Sequence, residues 1–173
     1  MTSYPVSMRR TVRLAFFGAV AVVAAAAAWC FKAGFMWSGI FLIVVAGPFA
    51  IFYWYMLSVN PARTEIQLLD EGMRVKAPPF VDVSVLYEDI QEVFESDLSD
   101  AALAFKGHSR AMRFGGYQSG VFELKAGGEA VVVANGKRVA CARTPQRLFV
   151  LGPDDVGGLA AELTVRASSH GGL

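Results

Sequence analysis

Lys106, His108, Arg110 and Arg113 crowd one short stretch of the chain, with Phe114 and Tyr117 beside them. Cations at that density attract anionic groups, and neighbouring aromatic rings rest where water meets lipid. The chemistry on offer is therefore contact with an anionic headgroup or partner. The same spacing suits a solvated loop whose arginines pair with Glu95, Asp97 or Asp100. Nucleophilic catalysis has one combination to weigh, Cys141 with His108 and an acid. A thiol reacts when a base or cation and solvent reach it, whereas Cys141 lies beside Val139, Ala140 and Ala142 in an apolar pattern and reads as a packed small residue. No catalytic residue is assigned, and the expectation is a protein that is not an enzyme. Gly115, Gly116 and Gly120 lack the lysine and following helix of a phosphate cradle, so they read as hairpin glycines. His108, Cys141 and His170 stand far apart, and the acids around Asp97 would need the backbone to close on a cation; no metal and no cofactor is expected. Cys30 and Cys141 belong to incompatible environments, which leaves two reduced thiols.

The segments that must carry these residues divide sharply. In 173 residues the hydrophobic share is 54% and the mean hydropathy +0.42, too apolar for a soluble domain of this size. Every acid lies at Glu65 or later. Four basic residues and no acid precede residue 60, giving +4, while 12 basic and 15 acidic residues follow, giving −3. That division excludes a uniformly soluble globule, a basic nucleic-acid module and a disulfide-built scaffold.

Leu14 to Phe31 and Phe35 to Val59 are free of charge over 18 and 25 residues. As helices they extend about 27 and 37 Å, against roughly 30 Å of hydrocarbon. Lys32, Ala33 and Gly34 form the turn of a helical hairpin. Trp29, Phe31, Phe35 and Trp37 cluster at that turn, with Tyr53, Trp54 and Tyr55 at the far end, as interfacial aromatics should. Arg9, Arg10, Arg13 and Arg63 outnumber Lys32, so the positive-inside bias puts both termini in the cytoplasm. Ala24 and Ala28 on the first helix, and Gly39 and Gly47 on the second, are small enough to admit a neighbouring helix; membrane helices are also simply rich in such residues. Pro48 is expected to bend the second helix. Neither apolar core holds an ionisable side chain, so no ion relay is expected. The second apolar segment argues for retention of the first as an anchor rather than its removal as a signal, and the residues after Arg9 and Arg10 do not build an export motif.

From Asn60 onward short apolar runs alternate with turns. Strands are expected at Glu65–Leu69, Met73–Ala77, Phe80–Leu86, Asp89–Glu95, Gly120–Leu124, Ala130–Ala134, Arg138–Ala142 and Arg147–Leu151. Residues 97–120 read as irregular, with a turn of helix near Leu98–Phe105. Pro153, Asp154 and Asp155 open a helix whose Val156, Leu159, Ala160 and Leu163 share one apolar stripe.

Gly120, Phe122, Leu124, Gly127, Ala130 and Val132, then Leu148 to Asp154 and Leu159, resemble the bacterial pleckstrin-homology-like domains that follow paired membrane helices. The resemblance covers Tyr117 to Leu163, about half of the soluble part. It implies a mainly-β pleckstrin-homology-like barrel closed by a C-terminal helix, after an N-terminal transmembrane hairpin. The expected organisation is an N-terminal segment over 1–13, the hairpin over 14–59, a cytoplasmic β domain over 62–166 and a flexible tail over 167–173. The functional expectation is a non-enzymatic scaffold or interaction module integral to the bacterial cytoplasmic membrane. Its company would be the lipid bilayer and a homo-oligomer or membrane-protein partner, not nucleic acid. Anionic-headgroup sensing through Lys106, Arg110, Arg113, Phe114 and Tyr117 is the alternative, and a membrane enzyme the third.

Overall fold

The computed structural model describes residues 2–8, 10–114 and 116–171. Two units separate: residues 8–60 form one, and residues 2–7 with the chain from Pro61 onward form the other.

The first unit is a pair of helices, α1 (Arg10–Lys32) and α2 (Met36–Trp54), each long and apolar enough to cross a membrane. Alanine-rich sequence favours α1 through its low side-chain entropy cost. Gly34 takes φ +83 in the turn between the helices, a conformation that a side chain resists. Pro48 lies inside α2, which is helical on both sides of it. The helix then widens into a π turn at Tyr55–Val59 and ends in a short turn, α3 (Asn60–Ala62).

The second unit holds two sheets. Strands β1 (Thr2–Pro5), β2 (Glu65–Leu68), β3 (Gly72–Ala77) and β4 (Val81–Leu86) form a four-stranded antiparallel sheet in chain order. Strands β5 (Glu92–Asp97), β6 (Phe105–Phe114), β7 (Tyr117–Leu124), β8 (Glu129–Asn135), β9 (Arg138–Arg143) and β10 (Arg147–Gly152) form the other. Its order is β5-β9-β10-β8-β7-β6, with one parallel pair, β8 and β10. The mainly-β expectation holds, while barrel closure is not found: among the described residues no hydrogen-bonded ladder joins β5 to β6 or one sheet to the other. The long run β8-β9-β10 is buried on both faces, which is why its strands read as nearly continuous Val, Ala and Leu. Phe122, Val132, Cys141 and Val150 meet in one cluster, with Leu103 from the 3-10 turn Ala101–Leu103 packed in it.

Helix α4 (Val156–Ser169) follows. Asp155 caps it, its carboxylate accepting from the Gly158 amide at 3.0 Å, and Leu159, Ala160, Leu163 and Ala167 are buried. The tail expected from residue 167 is thus still helical through Ser169 because Ala167 is packed.

Two stretches differ from the sequence reading. Residues 97–120 are mostly strand: β6 pairs with β7 along its length, with bulges between Phe105 and Gly107 and between His108 and Arg110 that break the alternation on which a strand is recognised. Residues 2–5, expected to be part of a separate leading segment, are a strand of the β unit. Thr2 pairs with Leu68 and Pro5 with Glu65, and Pro5 is tolerated because β1 is an edge strand.

Candidate functional site

Lys106, Arg110, Arg113 and Phe114 all lie on β6, at the margin of the six-stranded sheet, and all are exposed. Phe114 is 39% exposed. Their setting is unlike that of five other arginines in the unit, though Arg63 is likewise exposed and in no ion pair among the described residues. Arg74 pairs with Asp82 at 2.9 Å, Arg138 with Glu95 at 2.9 Å, Arg143 with Glu92 at 3.1 Å, Arg147 with Glu129 at 3.9 Å and Arg166 with Glu162 at 2.6 Å. Among the described residues no such pair engages Lys106, Arg110 or Arg113. The pairing with Glu95, Asp97 or Asp100 that a solvated loop would allow is therefore not made. Glu95 goes to Arg138, Asp97 accepts from the Ser99 amide at 2.8 Å and from the Ser99 hydroxyl, and Asp100 accepts from Ser96 at 3.3 Å.

Gly120 sets β6 against β7. It has φ +142, and a Cβ there would lie 2.3 Å from the Arg110 carbonyl oxygen and 2.4 Å from the Ala111 Cα. Only glycine permits both the backbone conformation and the close approach.

Tyr117 does not join this surface. It is fully buried, and its hydroxyl lies 2.9 Å from the Thr64 hydroxyl, so burial pushes its pKa up. A phenol on the inward side of β7 satisfies its polar end internally. Gly115 and Arg9 lie outside the described residues, as do the side chain of His108, Gly172 and Leu173. Cys141 has no exposed surface, and burial pushes its thiol up to about 12, so the nucleophilic thiolate is suppressed at neutral pH.

In the helical unit the four small residues separate. Ala24 and Gly47 line one wholly apolar groove of about 550 Å³ between α1 and α2, together with Ala27 and Ala46. Ala28 is exposed outside that groove. Gly39 is buried under the Phe31 ring, where a Cβ would sit 2.8 Å from the ring carbon Cζ. The Gly39 contact is thus one between α2 and α1.

A polar cluster missed in the sequence joins the two ends of the β unit. Glu162 on α4 accepts from the Thr2 hydroxyl at 2.8 Å, from the Tyr4 hydroxyl at 2.7 Å and from Arg166. Arg166 also donates to the Leu69 carbonyl at 2.8 Å. The bond from Tyr4, then those from Thr2 and Arg166, hold the Glu162 carboxyl below its ordinary range against burial, while burial and Glu162 push Tyr4 up to about 12. Nearby, Ser7 donates to Asp154 at 2.6 Å and the Asp154 amide to the Pro5 carbonyl at 3.1 Å. The Glu162 and Arg166 spacing was readable as a helical i,i+4 pair. Its long-range partners Thr2 and Tyr4 carried no local signal.

No family model, curated protein or solved structure matches this chain.

Proposed function

We propose that this chain is a membrane-anchored, non-enzymatic interaction module, with two spans holding a cytoplasmic pleckstrin-homology-like β unit. The observation that carries the reading is the pairing of β1 with β2. The first strand precedes the hairpin in sequence and the second follows it, yet they are hydrogen-bonded neighbours. Both ends of the hairpin then belong to one folded body, which requires an even number of crossings. The charges around the spans, with Arg10, Arg13 and Arg63 at the ends and Lys32 at the turn, support the cytoplasmic side for that body. Support for the family reading comes from the motif residues: Gly120 and Phe122 lie on β7, Val132 on β8, Leu148 on β10 and Leu159 on the C-terminal helix α4. The apolar groove beside Ala24 and Gly47 offers close approach to a neighbouring helix.

The test is crosslinking of the full chain in its native membrane, followed by purification. A discrete product with one partner, or with identical chains, is expected. Recovery of the uncrosslinked chain alone over a range of linker lengths would reject an interaction role.

Headgroup sensing is the second reading, favoured by the unpaired cations of β6 beside the exposed Phe114. A polarity-sensitive dye on Phe114→Cys in the full chain should shift to the blue when anionic lipid is added to neutral vesicles. No shift would discard this reading.

A further inference from the structure

The two margins of the six-stranded sheet carry opposite charge. Strand β5 carries three acids, Glu92, Glu95 and Asp97, and no basic residue; Glu92 and Glu95 pair with Arg143 and Arg138 of β9, their side chains about half exposed. From Lys106 to Phe122, which contains β6, there are three basic residues and no acid. Among the described residues β5 has β9 on one side and no strand on the other, and β6 likewise has only β7. Each margin therefore presents backbone donors and acceptors that no strand of the same chain takes up. Among the described residues Glu92 and Glu95 are engaged by β9, and Lys106, Arg110 and Arg113 are in no ion pair.

We propose that the β6 margin of one copy docks on the β5 margin of a second copy, continuing the sheet from chain to chain. Charge decides among the possible edge pairings. Two β6 margins would bring Lys106, Arg110 and Arg113 against their own kind, and two β5 margins would oppose Glu92, Glu95 and Asp97 in the same way, and like charges across strands repel. Only the unlike pairing is attractive. Basic residues on an edge strand ordinarily keep edges apart, and here they do so selectively, refusing a like edge and admitting an acidic one. The contact uses different patches on the two copies, so it does not close at a dimer. Tethering both copies in one bilayer raises their effective concentration, so a weak edge contact suffices. This inference deepens the interaction-module reading and rests on it.

The experiment is sedimentation of the full chain in neutral detergent. The wild type should assemble, with its association constant falling by about tenfold as salt rises from low to high ionic strength. The variant Lys106→Glu, Arg110→Glu, Arg113→Glu should be monomeric, as should Glu92→Lys, Glu95→Lys, Asp97→Lys. An equimolar mixture of the two should assemble again, since each supplies the charge that the other lacks. The β6 variant removes no ion pair from the fold, so its result stands even if the β5 variant is unstable. A wild type that is monomeric throughout, or a β6 variant that assembles like the wild type, overturns the proposal. In the latter case the interaction-module reading survives through the helices, and only native-membrane crosslinking that yields the lone chain removes both. Loss of anionic-vesicle contact in the β6 variant with assembly unchanged would assign the edge to lipid instead and also overturn it.

Discussion

In the hairpin Trp37 is 83% exposed, Ile51 69% and Phe41 67%, whereas Val131, Val132 and Val133 of the β unit have no exposed surface at all. One chain thus places most of its large apolar side chains outward over residues 10–55 and most of them inward in the β unit. Burial of apolar area stabilises a fold only when the alternative is water, so outward Trp, Phe and Ile fit an apolar surrounding, and the buried valines fit an aqueous one. Polar groups follow the same division. The hairpin satisfies its backbone within its own helices, while the β unit uses cross-strand bonds and the Glu162 cluster.

The largest expected effect that sharpens this contrast comes from removing a ring on each side of it. Phe122→Ala should destabilise the β unit by about 3–5 kcal/mol, because Phe122 is buried in the cluster with Val132, Cys141 and Val150. Phe41→Ala on α2 should leave β-unit stability within about 0.5 kcal/mol. Chemical unfolding of the full chain in detergent, followed by the β signal, measures both; equal losses would break the contrast. Next is Gly120→Ala, expected to cost about 1–3 kcal/mol from the positive φ and the contact with Ala111, where Gly47→Ala in the hairpin groove, with open space around it, should cost far less.

A smaller effect is expected at Glu162. Its carboxyl is held below the ordinary value of 4.5, so its stabilisation is present above that pH and is lost as pH falls through the folded value. Glu162→Gln should therefore cost about 1 kcal/mol at neutral pH, and the difference from wild type should vanish in acid. A gap that widened on acidification would refute the assignment. Smallest of all, replacing Lys106, Arg110 and Arg113 together by Ala should leave the unfolding midpoint unchanged, since they pair with no acid among the described residues, while altering assembly.

Much of this was legible where side-chain periodicity is strong. The hairpin follows from two uncharged runs, and β7 to β10 follow from valine and alanine runs divided by glycine turns. Helix α4 follows from its Asp155 entrance and the stripe of Leu159 and Leu163. Strand β6 was not legible, because two bulges interrupt its alternation and Gly107 weakens it further. Strand β1 was not legible either, because four residues acquire strand identity only from partners sixty or more positions away. The same non-locality hid the Glu162 cluster. Tyr117 was misjudged because nothing local to an aromatic beside arginines tells which side of a strand it takes; the hydrogen bond with Thr64 satisfies its hydroxyl once it is buried.

The decisive measurement is labelling of the full chain in sealed membranes with a membrane-impermeant maleimide, using Ser3→Cys, Ala33→Cys and Ser99→Cys singly in a Cys30→Ser background. Because β1 and β2 are neighbours in one unit, positions 3 and 99 should share one side and position 33 should label from the other. Labelling of positions 3 and 99 from opposite sides, or of all three from the same side, would contradict a twice-crossing anchor built into the β unit at both ends.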